Sequence, residues 1–503
     1  MQKDILRVAI HEAGGLGDSL FQLTYIKEIR KLFDRPVVID YYCRAHKAFQ
    51  NFPFIDNCWP LPITHPVDDY DVYIKSRRFY MMLKMDEDKL KNYPGPFYEF
   101  CKYSQKLSDK ILGREYSNSL YNHYSLMYGK NRLEQPDVKG ILPVDRNTPK
   151  FMAWDENSFE VLNKNNLTDA VYIILNRAAD RHAPENHPKL WPLKYYDDLI
   201  ALIKQKYPKI KIAQIGAGNK FGVMKGVDLN LLGKTTFDEM KVLLKYSLCH
   251  IDGESGLVHM RNFLNGKSIA IFGPTSIETF GYKENINLRG NACAGACDWL
   301  TGNWSSGCMR GFKNAPCMES LAPQMVFEHF CKFVDNTAKH QFTCSNPSAR
   351  EIDGMLKPGG QLSVAQIIRD EGEFLNKAAA AKHNVWLYAE DLSAPDKEYK
   401  NNCRCHGEFA KKGIFAEYAT RYNIPAADDS FDIVYTSRLA AAARPELMLK
   451  EMLRVSKDDG KLLIACPREQ KENISATIAD ALKTAPPALN PGGVLAITKH
   501  RLN

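Results

Sequence analysis

The 503-residue sequence lacks any apolar run near the length of about 18 residues that a membrane-spanning helix needs. Its first eight residues include Lys3, Asp4 and Arg7 and carry no apolar segment of the signal-peptide kind. Its formal net charge of +8 is spread along the chain, without a run of five or six basic residues. These absences predict a soluble cytoplasmic protein that binds no nucleic acid, with any contact to the inner membrane peripheral.

Cysteine is present but follows no disulfide pattern. The 13 cysteines are an odd number at irregular spacing, which is typical of a reducing compartment. Hydrophobic residues at 45% and charged residues at 25% are ordinary globular values. At roughly 150 residues per domain, the length predicts about three domains.

Short apolar strands alternate with helical patterns along most of the chain, which predicts an α/β fold with parallel sheets. The first such series begins at Arg7 and a second begins at Val171. After Val334 the composition becomes polar before a third series begins. We expect two Rossmann-like domains followed by a third α/β domain. The predicted boundaries are 1–165 for the first domain, 166–335 for the second, 336–350 for a linker and 351–503 for the third.

A glycine loop lies between the first predicted strand and helix. Gly15 and Gly17 let the backbone approach a ligand, and the following helix N-terminus favours an anion. Asp18 at this position could deprotonate a hydroxyl acceptor. The same pattern also fits an ordinary helix start.

A basic loop follows the strand at 171–175. Arg177, Arg181, His182, His187 and Lys189 lie close together in it, at the end of a strand where doubly wound sheets bind ligands. Such a loop suits a diphosphate whose negative charge grows as a glycosidic bond breaks. A solvated basic loop is the alternative.

The segment 252–276 carries the most specific pattern. Glu254 precedes a predicted helix start at Ser255 and Gly256, where a hydroxyl and backbone N–H groups could bind phosphate while the carboxylate accepts from ribose hydroxyls. His259 lies one helical turn further on. Gly273 and Thr275 form a second small-residue loop, which we expect at the same rim. A capped helix with a core histidine is the alternative.

Four cysteines lie within 25 residues of one another in a segment rich in Gly, Asn and Ser. Cys293, Cys297, Cys308 and Cys317 predict a small knuckle closed by a structural zinc or iron ion, although their spacing is looser than that of paired C-x-x-C motifs. Four thiols without a metal are the alternative.

The sequence from about residue 5 to 335 resembles glycosyltransferase family 9, the bacterial heptosyltransferases of the GT-B fold. The resemblance is carried by GGLGDSLFQLTYIKEIRKLF, KLWPLKYYDDLI and ESGLVHMRNFLNGKSIAIFGPTS. It implies an inverting, metal-independent transfer of a sugar, with ADP-heptose as donor, to a surface-glycan precursor, a glycolipid or a protein.

The resemblance also implies residue roles. Asp18 would be the base, Lys189 a ligand of the donor phosphate, and the segment from Glu254 to His259 the holder of the nucleotide diphosphate. Glu254 stands where the family more often has Asp. Some protein-directed members carry a four-cysteine iron site, which is similar to the cysteine segment of this chain.

The third domain resembles a class I methyltransferase in its later half, in IPAADDSFDIVYTSRLA and LKEMLRVSKDDGKLLIACP. Glu390 or Asp391 would bind ribose hydroxyls, and Cys403, Cys405 and His406 are either metal ligands or surface residues. The glycine loop for S-adenosylmethionine is replaced by GGQLSVAQIIRDEGE, which favours a degenerate domain. A bifunctional glycosyl- and methyltransferase and a scaffold with weak sugar-nucleotide binding remain alternatives.

Overall fold

The computed structural model divides the chain into two compact units, Met1–Asp335 and Asn336–Asn503. Each unit is described by itself. The structure describes residues 5–33, 36–63, 65–76, 78–93, 95–111, 117–177, 184, 187–293, 296–298, 300, 304–337, 340–357, 361–367, 373–389, 414–484, 486–487 and 493–501.

The first unit begins with a five-stranded sheet in the order β3-β2-β1-β4-β5, in which only the β4–β5 pair is antiparallel. Its strands are β1 Leu6–Glu12, β2 Val37–Cys43, β3 Asn57–Trp59, β4 Val72–Ser76 and β5 Tyr80–Met85; its helices are α1 Leu16–Leu32, α2 Glu87–Leu90, α3 Gly95–Ile111 and α4 Ser117–Met127. The central strands are buried along nearly their whole length, as expected of a parallel sheet covered on both faces.

A six-stranded, fully parallel sheet follows in the same unit, in the order β11-β10-β9-β6-β7-β8. Its strands are β6 Tyr172–Leu175, β7 Lys211–Gln214, β8 Leu229–Asn230, β9 Cys249–Gly253, β10 Ser268–Ile271 and β11 Ile286–Leu288. Its helices are α5 Glu160–Lys164, α6 Leu193–Lys206, α7 Phe237–Tyr246, α8 Gly256–Phe263, α9 Ile277–Phe280, α10 Pro316–Glu319 and α11 Pro323–Asp335. Trp191 is fully buried in this core, and its indole N–H donates to the carbonyl of Leu321 at 2.9 Å.

The two sheets of the first unit meet through helices α1 and α8, which start at the carboxyl ends of β1 and β9. A Cβ atom on Gly17 would lie 2.6 Å from Cδ2 of His259, and one on Gly256 would lie 2.8 Å from Cβ of Leu16. Glycine at both positions therefore lets the two helix starts approach closely.

The second unit contains a seven-stranded sheet in the order β12-β18-β17-β16-β13-β14-β15. Its strands are β12 His340–Ser345, β13 Ser363–Ile367, β14 Asn384–Ala389, β15 Ile414–Tyr418, β16 Phe431–Thr436, β17 Ser456–Ala465 and β18 Val494–Arg501; its helices are α12 Ala349–Met355, α13 Glu373–Ala380, α14 Pro445–Val455 and α15 Lys471–Leu482. The five strands from β15 to β17 are parallel, in the doubly wound order 3-2-1-4-5.

The prediction of an α/β fold with three sheets dominated by parallel strands is confirmed. One detail differs, because the segment 336–350 that was expected as a linker contains β12, which pairs antiparallel with β18 and extends the sheet. Glu390, Asp391, Cys403, Cys405 and His406, proposed from sequence for the third domain, lie outside the described residues. Within the described part of the chain, none of the helices is long and apolar enough to span a membrane.

We expect Gly256→Ala to destabilise the first unit by about 1–3 kcal/mol, because the added methyl group would overlap the side chain of Leu16. Urea denaturation followed by intrinsic fluorescence measures the change. Gly218→Ala is the matched control, since a Cβ atom there meets nothing within 4 Å. Equal stability of the two variants would contradict the close helix approach.

Candidate active site

The carboxylate of Asp18 lies at the start of α1 and is held by an arginine. Its Oδ1 accepts a hydrogen bond from Nη2 of Arg132 at 3.0 Å, and the Arg132 side chain is almost fully buried. Burial alone would raise the pKa of Asp18, but the charges of Arg132 and Arg78 outweigh it and lower the pKa. Asp18 is therefore ionised at neutral pH, as a general base requires.

Arg132 connects the part of the first unit built on the five-stranded sheet with the part built on the six-stranded sheet. Its backbone N–H donates to the carbonyl of Thr279 in α9 at 2.9 Å, while its side chain reaches Asp18. Its guanidinium also lies 5.1 Å from the centre of the Phe21 ring. Arg78 lies nearby, 5.0 Å from the Phe280 ring, and burial lowers its pKa to about 10. Neither arginine was identified from the sequence.

Glu12, at the end of β1, is a buried carboxyl group that sequence reasoning also missed. Its Oε1 accepts from the backbone N–H of Gly14 at 2.7 Å, and its Oε2 accepts from Ser76 Oγ at 2.7 Å and Gln22 Nε2 at 3.2 Å. Glu12 thus ties the glycine loop to β4 and α1. Burial first, and then the negative charge of Asp18, raise its pKa to about 7. Its only sequence signal was an acidic residue ending an apolar strand.

Lys189, Glu254 and His259, proposed as donor ligands, lie together. Lys189 Nζ is ion-paired with Oε2 of Glu254, and His259 Nε2 lies 3.1 Å from Oε1 of the same carboxylate. The other ring nitrogen of His259 is 2.9 Å from the hydroxyl of Tyr282. Burial would raise the pKa of Glu254, but Lys189 and His259 lower it, so this carboxylate stays charged.

Ser255 and Gly256 form the start of α8. The Ser255 hydroxyl accepts from the backbone N–H of Leu257 at 3.1 Å and donates to Asp252. Asp252 also accepts from Asn176 Nδ2 at 2.8 Å, and burial raises its pKa well above the usual value. The hydroxyl therefore acts as a helix cap, while the N-terminus of α8 faces α1 through Gly256.

Arg177 does not join this cluster through any described contact. Its guanidinium donates to the backbone carbonyl of Trp191 at 2.7 Å and to that of Phe221, and burial lowers its pKa. Arg181 and His182 of the same loop lie outside the described residues. His187 packs its ring edge-on against Trp304 at 5.5 Å.

The loop after β10 carries Gly273 and Thr275. A Cβ atom on Gly273 would lie 3.0 Å from the carbonyl oxygen of Pro188, so the loop packs against the segment that carries Lys189. Thr275 is fully buried, and no described residue forms a hydrogen bond with its hydroxyl. Gly15 precedes α1 in extended conformation without a side-chain cap.

The four cysteines of the predicted knuckle influence one another electrostatically. Burial, and then the charges of Cys293, Cys297 and Cys308, raise the pKa of Cys317 to about 11, and none of the four forms a disulfide. Among the described residues, no group of three or more Cys, His, Asp or Glu side chains is placed to hold a metal ion. The metal site therefore stays a prediction.

Residues 115–296 match the model of glycosyltransferase family 9 (heptosyltransferase). Lipopolysaccharide heptosyltransferase 1 of Campylobacter coli is 22% identical to this chain over 305 residues, which cover 56% of the chain and 88% of that protein. The prediction that the chain is a glycosyltransferase is confirmed.

Solved structures are also similar to parts of this chain. The ADP-heptose lipopolysaccharide heptosyltransferase II of E. coli is 14% identical, with a TM-score of 0.44 over 65% of this chain and 98% of that one. The iron-containing dodecameric glycosyltransferase TibC of enterotoxigenic E. coli is 13% identical, with a TM-score of 0.43 over 65% and 78%. A methyltransferase of Aquifex aeolicus, described as dependent on S-adenosylmethionine, is 13% identical, with a TM-score of 0.24 over 31% and 89%.

The unfolding free energy of the protein should fall between about pH 4.5 and 7, in part because of Glu12. The folded state keeps a proton on this carboxyl that the unfolded chain releases near 4.5, the ordinary pKa of a glutamate, and the difference from about 7 corresponds to about 3 kcal/mol. Glu12→Gln should flatten this dependence in urea titrations at several pH values. Glu99→Gln, at an exposed position, is the control; a slope unchanged in Glu12→Gln would contradict the raised pKa.

Proposed function

We propose that the first unit transfers a heptose from ADP-heptose to an acceptor hydroxyl, with inversion at the anomeric carbon. This proposal rests on one observation: a carboxylate that can act as a base lies on one side of the α1–α8 contact, and a cluster that can bind the donor lies on the other side. An ionised carboxylate, Asp18, lies on the α1 side. The basic and polar cluster of Lys189, Glu254 and His259 lies on the α8 side, with His259 against Gly17.

In the proposed reaction, Asp18 accepts the proton of the acceptor hydroxyl as its oxygen attacks the anomeric carbon. Arg132 donates to Oδ1 of the carboxylate, and in this proposal the other oxygen, Oδ2, takes the proton. The bond to the diphosphate breaks on the opposite side, and the nucleoside diphosphate leaves with the bonding electron pair. This geometry inverts the anomeric centre and leaves the proton on Asp18.

The leaving diphosphate needs positive charge, which this site supplies from its own residues. Lys189 is the cation of the α8 side that this proposal assigns to the diphosphate, and its ion pair with Glu254 orients it. The N-terminus of α8 adds the positive end of a helix dipole. Thr275, with its buried hydroxyl lacking a described partner, is a further donor at the rim. We assign Gly15, Gly17, Gly256 and Gly273 to close backbone approach, and Arg177 to the outer edge of the donor site.

The acceptor that we propose is a lipopolysaccharide precursor, because the curated relative is a lipopolysaccharide heptosyltransferase. Such an acceptor would bring the protein to the cytoplasmic face of the inner membrane as a peripheral enzyme. A protein acceptor is the second candidate.

Asp18→Asn tests the base. The amide keeps the shape of the side chain but takes up no proton, so the turnover number with ADP-heptose should fall by roughly a hundredfold or more. The melting-temperature increase caused by ADP-heptose should be retained, since Asp18 is not assigned to the donor. Asp88→Asn, at an exposed site, is the control. Near-normal turnover of Asp18→Asn would remove this residue from the role of base.

We further propose that Cys293, Cys297, Cys308 and Cys317 hold one structural zinc or iron ion, as four soft thiolate ligands can. Elemental analysis of the purified full-length protein should find about one such ion per chain, and Cys308→Ser should lower that content. Cys344→Ser is the matched control, because Cys344 is an exposed residue of the second unit. Folded, active protein without zinc or iron would contradict the proposal.

A further inference from the structure

The cysteine-rich segment, residues 293–317, is anchored to the loop that follows β10. The backbone N–H of Asp298 donates to the carbonyl of Pro274 at 3.1 Å. At the far end of the segment, the carbonyl of Cys317 accepts from the N–H of Gly290 at 3.1 Å. The next residue, Met318, packs on the same loop, because a Cβ atom on Gly273 would lie 3.1 Å from its Cε. Both ends of the segment therefore lie beside the loop that follows β10.

This anchoring places two side chains of the segment at the donor cluster. The ring centre of Trp304 lies 5.9 Å from Nζ of Lys189. Asp298 is only 5% exposed, and its own backbone is the only hydrogen-bond donor to its carboxylate among the described residues. The positive charges of Arg78 and Lys189 act on this carboxyl group, and the negative charge of Glu254 opposes them. A buried carboxyl group with cations nearby and no donor from another described residue is suited to accept hydrogen bonds from a ligand.

We propose that two described residues of the cysteine-rich segment form part of the donor's sugar subsite, with Asp298 accepting hydrogen bonds from sugar hydroxyls and Trp304 bordering the sugar with its ring. This inference rests on the proposed function. It gives the segment a role in the choice of sugar, in addition to any role of its cysteines in stability.

The chemistry of a sugar ring matches these two groups. Hydroxyl groups donate strongly to a carboxylate, and hydrogen bonds to a charged acceptor are the stronger kind. An aromatic ring offers flat apolar surface for the C–H face of a sugar and excludes water from the hydroxyl contacts. The nucleotide end of the donor needs neither group, because Lys189 and the start of α8 already face the diphosphate in the proposed arrangement.

Asp298→Asn in the full-length protein tests whether this residue binds the sugar part of the donor or its nucleotide part. We expect the dissociation constant for ADP-heptose to rise at least about tenfold, as loss of a charged hydrogen bond predicts, and that for ADP to change less than about twofold. Isothermal titration calorimetry measures both constants. Asp298→Glu is the second variant, since it keeps the charge but displaces it by one methylene group; it should also weaken ADP-heptose selectively, and it serves if the Asn variant fails to fold.

Asp88→Asn, an exposed carboxylate in the same unit, is the matched control and should leave both constants unchanged. Unchanged ADP-heptose binding in the Asp298 variants, or an equal loss for ADP and ADP-heptose, would overturn the sugar subsite while leaving the proposed function standing. Wild-type protein that binds neither ligand would overturn the proposed function, and this inference with it.

Discussion

The close approach of α1 and α8 is the constraint on which the site depends. Because Gly17 and Gly256 lack side chains, the helix starts touch, and the ring of His259 packs against Gly17. Each helix begins at the carboxyl end of a central parallel strand, the position where doubly wound sheets present functional groups. The contact therefore brings Asp18 from one sheet to the polar cluster that the other sheet carries. A bulkier residue at either glycine would separate the base from the donor residues.

The pairing of opposite charges is the second organising feature, and such ion pairs lie on both sides of the α1–α8 contact. Arg132 holds Asp18 and Glu254 holds Lys189, so each partly exposed charged group is paired with a buried group of opposite charge. A buried charge is costly unless it is paired, so these pairs are expected to be maintained before any ligand arrives. An anionic donor would compete with Glu254 for Lys189, so this ion pair would have to adjust when the donor binds.

Much of the fold follows from local pattern, while part of the site does not. The alternation of strands and helices predicts three parallel-dominated sheets, and the glycine loop before Asp18 predicts where the first helix begins. Arg132 was not predicted because its contact with Asp18 joins residues 114 positions apart, and nothing in the surrounding sequence marks it. Glu12 was missed because an acidic strand end has many structural uses. Strand β12 was missed because a polar edge strand resembles a linker in composition.

The cysteine-rich segment shows why a motif and its function can lie on different residues. Its four cysteines are conspicuous in sequence, yet Asp298 and Trp304, which lie between them, are the residues that the structure links to the cluster around Lys189. Two side chains that lie outside the described strands need other constraints to hold them precisely, and cross-linking of cysteines through a metal is one physical means of supplying them. Loss of that cross-link would then loosen the sugar contacts first and leave the diphosphate contacts, which the sheet itself carries, largely intact.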